Sequence, residues 1–275
     1  MYITNDPTIA KIAEANGVDR IFVDMEYIGK NLRQGGMDTV QSKHTLDDVK
    51  NIRNTITKSE LLVRVNPIHE KTEQYSSSEE EIDGAIANGA DILMLPYFKT
   101  VDEVKTFIDL VGGRAKVMPL LETPEAVEVI DDILSLDGID EIFIGLNDLS
   151  LGYGMKFMFE PLANGTVDML CNKFKAKGIP YGFGGLASLN KGLLPGKMVL
   201  KAHYRLGSGS VILSRSFCNA NIVKDIATIQ HVFEHGIKDI RALEEECMIN
   251  KDCPSYFLEN REALIKIVAE IVNSK

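Results

Sequence analysis

Residues 116–154 read KVMPLLETPEAVEVIDDILSLDGIDEIFIGLNDLSLGYG. The order is strand, helix, strand, loop. The helical part carries apolar residues at Ala126, Val127, Ile130, Ile133 and Leu134, a period that buries one face. Each strand is read as ending in a carboxylate, Glu122 on the first and Asp148 on the second. Parallel neighbouring strands that end in acids place those acids side by side at one rim of a sheet. Such a pair suits a hard divalent cation held by few protein oxygens and completed by substrate.

Working outward, the same alternation continues on both sides. Upstream, Asp6 and Pro7 open a helix through residue 16, with Pro7 at its first position and Gly17 closing it. Residues 19–26 (DRIFVDME) form a strand with the apolar core Ile21, Phe22 and Val23, as in buried parallel strands, and acids at its end, Asp24 and Glu26. A long loop follows over residues 27–43, with Gly29, Gly35 and Gly36 and the bases Lys30, Arg33 and Lys43. Structureless stretches of this length are often functional. Thr45 caps a helix through residue 57, with Asp47 and Asp48 in its first turn. Residues 60–66 (ELLVRVN) are a strand ending in Arg64 and Asn66. A polar loop, a helix over 79–88, a strand over 91–97 and a helix over 100–111 lead into the quoted stretch. Downstream come a helix over 161–177, a strand over 179–183, a glycine-rich loop, a helix over 197–206 and a strand over 210–214. From residue 222 the chain is helical, with a break near 252–254.

Strand and helix alternate about eight times with short connections, which gives a parallel sheet. The count fits a single (β/α)₈ barrel domain over residues 1–275, since such barrels typically need ~250 residues, with extra C-terminal helices. A doubly wound open sheet is the alternative, although no G-x-G-x-x-G follows the first strand.

The composition narrows the function classes. The chain has 275 residues, 45% of them hydrophobic, and a net charge of −10. That is enough for a large core. The acidic balance argues against nucleic acid and anionic membrane partners. No apolar run approaches the roughly 20 residues of a membrane span, and the start MYITNDPTIA has no signal-peptide pattern, so a cytoplasmic protein is expected. Cys171, Cys218, Cys247 and Cys253 contain no C-x-x-C pair and read as free thiols.

Catalytic groups of a barrel of this type sit at the C-terminal strand ends. Those ends carry Asp24, Glu26, Arg64, Asn66, Tyr97, Glu122 and Asp148. Glu122 alone can complement the helix that starts at Thr123-Pro124, and Asp148 alone can cap a turn. Four carboxylates on one rim repel unless a cation or a proton intervenes. Arg64, in an apolar strand end, is of the kind that grips an acid, its own or a substrate's. His69 and His203 read as loop and helix-surface residues. His231 and His235, four apart, read as solvated helix surface, since no third ligand accompanies them.

V-D-M-E, V-R-V-N, G-A-D-I-L-M-L-P, L-L-E-T-P-E-A and G-L-N-D-L-S, at successive strands, resemble the HpcH/HpaI aldolase and citrate lyase β-subunit family. The resemblance covers residues 6–154 and weakens beyond. It implies a (β/α)₈ barrel acting on pyruvate-like or oxaloacetate-like acids through Mg²⁺, or Mn²⁺ or Co²⁺. Glu122 and Asp148 are then the metal ligands and Arg64 contacts the keto or enolate oxygen. Glu26 orients a metal-bound water and Asp24 supports the inner rim. Loop amides about Gly145, Asn147 and Asp148 hold the substrate carboxylate. The resemblance also implies a homo-oligomer, trimer or hexamer, that exchanges C-terminal helices and so covers the last apolar stripe, Leu264, Ile267, Val268 and Ile271. Three positions depart from the pattern: Tyr27 stands where the aldolase branch has a proton-transferring histidine, Leu120 where glutamine is usual, and Leu146 where proline is usual. His44, at the end of the long loop, is the other candidate for proton transfer, and Lys30 and Arg33 are candidates for contacting a second substrate such as an aldehyde. The expectation is a metal-dependent carbon–carbon lyase. A citrate-lyase-type enzyme acting on a CoA thioester and a catalytically impaired, metal-stabilised binding or assembly protein are the rivals.

Overall fold

Eight strands follow one another in chain order around a closed barrel: β1 (Tyr2–Ile3), β2 (Arg20–Asp24), β3 (Glu60–Arg64), β4 (Ile92–Leu95), β5 (Lys116–Leu121), β6 (Ile142–Ile144), β7 (Tyr181–Leu186) and β8 (Ser210–Leu213). The computed structural model describes residues 1–30, 42–220 and 222–275. Arg33, Gly35 and Gly36, and with them most of the long loop, lie outside the described residues. The expected (β/α)₈ class is the observed one. The chain divides into two compact units, Met1–Phe143 and Ile144–Lys275.

In the first unit, β1 to β5 pair in parallel. Ile21, Phe22, Val23, Leu61, Leu62, Val63, Ile92, Leu93, Met94 and Leu95 are all fully buried. Strands covered on both faces require continuous apolar runs of this kind rather than alternation. The helices are α1 (Pro7–Ala15), α2 (Leu46–Arg53), α3 (Ser78–Ala87) and α4 (Val101–Val111). Their starts follow from the sequence. Asp6 accepts from the amides of Thr8 and Ile9, and Thr45, Ser77 and Thr100 each form a capping box with the acid three residues on. The helix expected over 124–136 is instead two short pieces, α5 (Pro124–Glu128) and α6 (Ile130–Ile133), joined at Val129, whose φ of −100° and ψ of 13° leave the helical region. The β-branched run Val127, Val129 and Ile130 weakens helix propensity there.

The N-terminal ends of these strands are tied by charge. Arg20 and Glu60 are register partners, with Arg20 Nε 2.8 Å from Glu60 Oε2. Arg20 also holds Glu141 through both terminal nitrogens, and Lys116 reaches Glu60.

In the second unit, β7 and β8 pair in parallel. Its helices are α7 (Leu146–Gly152), α8 (Glu160–Ala163), α9 (Thr166–Lys177), α10 (Gly196–Leu206), α11 (Ile226–Ile249) and α12 (Pro254–Asn273). The helix expected over 161–177 is divided at Gly165, whose φ of +92° suits glycine. Phe257, Leu264 and Val268 of α12 are buried, and Asn260 donates to the Met198 carbonyl of α10 at 3.0 Å. The apolar stripe of α12 therefore meets α10 of its own chain, and by itself it does not call for a partner subunit. His231 and His235 are exposed. The four cysteines are free thiols.

His203 is not a helix-surface residue. It is 3% exposed and lies flat on Phe183, the rings 3.7 Å apart and 4° from parallel. Its Nδ1 is 2.8 Å from Ser208 Oγ, and its Nε2 has no hydrogen-bond partner. The apolar face of α10 lies toward the core, and the ring is carried with it. Burial holds the pKa down to about 3. The unfolded chain takes up a proton near pH ~6.5, so His203's contribution to stability is complete above that pH and is lost as the pH falls toward 3. Between pH 7 and pH 5 this group alone is expected to remove about 2 kcal/mol. His203→Phe is expected to abolish that part of the slope, as read from urea midpoints at the two pH values.

Candidate active site

β2 and β3 run in register so that Asp24 stands opposite Arg64, each the last residue of its strand. Arg64 Nε donates to Asp24 Oδ1 and Nη2 to Oδ2, both at 2.8 Å, the two-point fork that matches a guanidinium to a carboxylate. Arg64 Nη1 lies 3.3 Å from Glu26 Oε2. Lys30 Nζ lies 3.0 Å from Asp24 Oδ2 and 3.3 Å from Glu26 Oε2. Asp24, Glu26 and Lys30 are all buried. Burial raises the Asp24 carboxyl, but Arg64 and Lys30 overcome it and hold the pKa well below the carboxylate range. Burial works against the Arg64 charge, and Asp24 and Glu26 outweigh it, with Glu122 adding to them.

Lys30 was expected to face a second substrate from the long loop. Its ammonium is instead turned inward onto the two acids. The crowding of carboxylates at this rim is thus answered, for Asp24 and Glu26, by Arg64 and Lys30. Lys30 lies four residues after Glu26, at the end of a turn whose amides Asn66 holds.

The backbone that carries Glu26, Tyr27 and Lys30 is anchored by Asn66. Its Oδ1 accepts from the amides of Tyr27 and Ile28, both at 2.9 Å, while its Nδ2 donates to Glu81 Oε1 at 2.8 Å and the Met25 carbonyl at 3.3 Å. Burial raises the Glu81 pKa, and Asn66 opposes the rise. The Glu26 amide donates to Asp24 Oδ1. Tyr27 itself is 44% exposed and stacks at a tilt on Tyr75, centroids 5.4 Å apart. Burial and the nearby Glu81 raise its phenol pKa. His44 does come to the end of β2: its Nδ1 accepts from the Asp24 amide at 3.0 Å. That bond leaves the ring proton on Nε2, and burial lowers the imidazole pKa despite Asp24.

Glu122 directly follows β5 and is 4% exposed. Its Oε1 accepts from the Tyr97 amide at 3.0 Å. Tyr97 has a φ of 49°, the single non-glycine residue with positive φ among those described, a conformation that costs about 1 kcal/mol or more. No sequence signal marks that strain. Leu120 is buried on β5.

On the second unit, Asp148 does not end a strand. β6 stops at Ile144, Gly145 is the N-cap of α7, and Asp148 sits in the first turn of that helix. The helix begins early because Leu146, in the position where proline is usual, buries its side chain against Gly184, where a Cβ would come within 2.7 Å of Leu146 Cδ1. Asp148 is 7% exposed and accepts from Asn147 Nδ2 at 3.1 Å. Glu122 and Asp148, one on each unit, are buried hard oxygen donors of the class Mg²⁺ and Mn²⁺ take. Among the described residues no group of three or more His, Cys, Asp or Glu side chains is arranged to hold a metal.

A parallel (β/α)₈ barrel with buried charge at its C-terminal strand ends is the architecture of an enzyme whose chemistry lies at that face. The chain belongs to the HpcH/HpaI aldolase/citrate lyase family, whose model matches residues 2–160, a family of aldolase- and lyase-type enzymes. It is 21% identical over 161 residues to the hydroxypyruvate/pyruvate aldolase of Roseovarius nubinhibens, a match spanning 54% of this chain and 62% of that protein. In fold it is similar to a family member from Burkholderia cenocepacia J2315, with 17% identity, a TM-score of 0.59, and coverage of 78% of this chain and 87% of that one. It is likewise similar to citrate synthase SbnG, with 16% identity, a TM-score of 0.59, and coverage of 84% and 92%. No helix among the described residues is long and apolar enough to cross a membrane.

Asn66 is a sharp test of how the turn is held. Asn66→Asp keeps the acceptor for Tyr27 and Ile28 but sets a second carboxylate against Glu81. The variant is expected to lose about 3 kcal/mol at pH 8 and to recover part of it at pH 5, where one proton can be shared. Urea unfolding at both pH values measures the difference.

Proposed function

We propose that the protein makes or breaks a carbon–carbon bond next to a 2-oxo acid of pyruvate or oxaloacetate type, with a divalent metal as cofactor. The carrying observation is the Asp24–Arg64 fork at matched strand ends with Glu122 close enough to act on the Arg64 charge. Family membership and the named activity of the Roseovarius relative support the substrate class.

Glu122 and Asp148 are the residues proposed to hold Mg²⁺, or Mn²⁺ or Co²⁺. Asp148 is assigned from the E-T and N-D-L-S pattern of the family. When bound, the ion supplies Lewis-acid polarisation of the 2-oxo acid. Arg64 has five N–H groups; Nε and one bond of Nη2 hold Asp24, and Nη1 faces Glu26. The remaining N–H bonds are proposed to meet the oxygen on which negative charge develops, where a preorganised donor is most effective. The amides at Gly145 and Asn147 open α7 without intrahelical acceptors and are proposed for the substrate carboxylate.

His44 and Tyr27 remain the residues proposed for proton transfer. His44 has Nδ1 engaged by a backbone amide, so it serves as a hydrogen-bond donor from Nε2 rather than a base. Tyr27, its pKa raised, carries its phenol proton at neutral pH. Both are proposed as hydrogen-bond donors toward the enolate. An aldehyde is the proposed second substrate, and assembly into a trimer or hexamer, as read from the family, is proposed with it.

Wild-type protein with Mg²⁺, Mn²⁺ or Co²⁺ is expected to exchange the methyl protons of pyruvate with D₂O, and to release pyruvate from aldol adducts across an aldehyde panel. Glu122→Gln is expected to lower both by about 100-fold or more, and Arg64→Lys by about 10²-fold. Equal activity of Glu122→Gln and wild type would sink the reading. A metal-stabilised binding protein is the second reading, motivated by Tyr27 and Leu120, and any methyl exchange excludes it. CoA-thioester binding would favour the citrate-lyase-type alternative.

A further inference from the structure

We infer that Lys30 is a positioning residue of this site, the group that fixes the plane of the Arg64 guanidinium. The four charges form a closed ring. Asp24 Oδ2 is shared between Arg64 Nη2 and Lys30 Nζ, at 2.8 and 3.0 Å. Glu26 Oε2 is shared between Arg64 Nη1 and Lys30 Nζ, both at 3.3 Å. Two cations and two anions therefore alternate among these described residues.

Removing Lys30 takes from Asp24 and Glu26 a cation that both share, and among the described residues Arg64 is the other cation placed against both. Glu26 is 1% exposed and has no route to solvent without a movement of its side chain. A buried carboxylate that loses one of its cations draws on the other. Arg64 would then be pulled from its two-point fork with Asp24 toward Glu26, and the N–H bonds aimed at substrate would turn with it.

Lys30 is delivered to this place by anchored backbone. Its amide donates to the Tyr27 carbonyl at 3.3 Å, and the amides of Tyr27 and Ile28 are fixed on Asn66. The side chain has 5% exposure, so it is no surface base folded in by chance. With Nζ between two carboxylates it is not assigned a nucleophilic role.

The catalytic part of the inference rests on the proposed function; the orientation of Arg64 does not, and the two are read separately. Arginine side chains are labelled with ¹⁵N, and the Arg64 Nε–H signal is assigned by its loss in Arg64→Lys. Lys30→Met, which keeps the stem and removes the charge, is expected to speed solvent exchange of Arg64 Nε–H by about tenfold or more at an unchanged circular dichroism spectrum. Lys30→Arg is expected to stay within about threefold of wild type. Lys30→Gln is the second neutral variant should Lys30→Met not fold, with the same expected direction. In methyl-proton exchange of pyruvate, Lys30→Met is expected to lower kcat by about 10- to 100-fold with KM nearly unchanged, and to add under about twofold in an Arg64→Lys background. Unchanged Arg64 Nε–H exchange in the folded neutral variants overturns the inference, whatever happens to activity. Faster Nε–H exchange in a protein whose wild type never exchanges pyruvate protons upholds the positioning of Arg64 and overturns the proposed function.

Discussion

The fork between Asp24 and Arg64 is the contact on which the first unit's site depends. It exists because β2 and β3 pair without a register slip, so the last residue of one strand meets the last residue of the other. A shift of one residue would turn both side chains to the opposite face. The same register sets Arg20 against Glu60 at the other end. The two strands are therefore clamped at both ends by an arginine and an acid, with the arginine on β2 at the start and on β3 at the finish. The N-terminal clamp joins Glu141 and Lys116 in a partly exposed network, as fits an end that serves stability. The C-terminal clamp is buried, joins Lys30 and Glu26, and faces the end where barrel enzymes act.

Buried ion pairs are poor sources of stability, because desolvation offsets much of the attraction, and a well-packed apolar substitute often does as well. Three buried charges and a partly buried arginine at one strand end are better explained by orientation. Each is held by more than one partner, and the backbone beneath them is fixed by Asn66, whose own amide group is held by Glu81. Glu122 is fixed in a similar way, by an amide that Tyr97 presents from a strained conformation. Strain retained at one residue, next to a buried acid, belongs to a site that needs that donor in that place.

Much of the fold was legible because apolar runs such as ILML and LLV, and caps such as Asp6, Thr45 and Thr100, are local signals. The strand-end positions of Asp24, Glu122 and Arg64 followed from those runs. What was not legible came from tertiary contact. Asp148 moved from a strand end into a helix because Leu146 buries its side chain against Gly184, a meeting of residues 38 apart in sequence. His203 looked like surface because its neighbours Lys201 and Arg205 are charged; its ring lies on Phe183 of β7. Lys30 read as a loop base because the anchor that turns it inward, Asn66, lies beyond the long loop.

Tyr27 and Lys30 are best understood together. The turn after β2 has fixed amides, so the residue at position 27 is committed to a direction set by Asn66, and Tyr27 follows it outward onto Tyr75. Lys30, further along that turn, comes back to Asp24 and Glu26 with a long stem. The two acids at the end of β2 thereby keep a second cation beside Arg64. On the proposed function, Arg64 held by two acids is the group that meets an oxyanion, and His44 and the Tyr27 hydroxyl remain the side chains proposed for proton transfer. In the proposed reaction the same oxyanion lies between cleavage and condensation, so the arrangement of charge at Arg64 serves both directions alike.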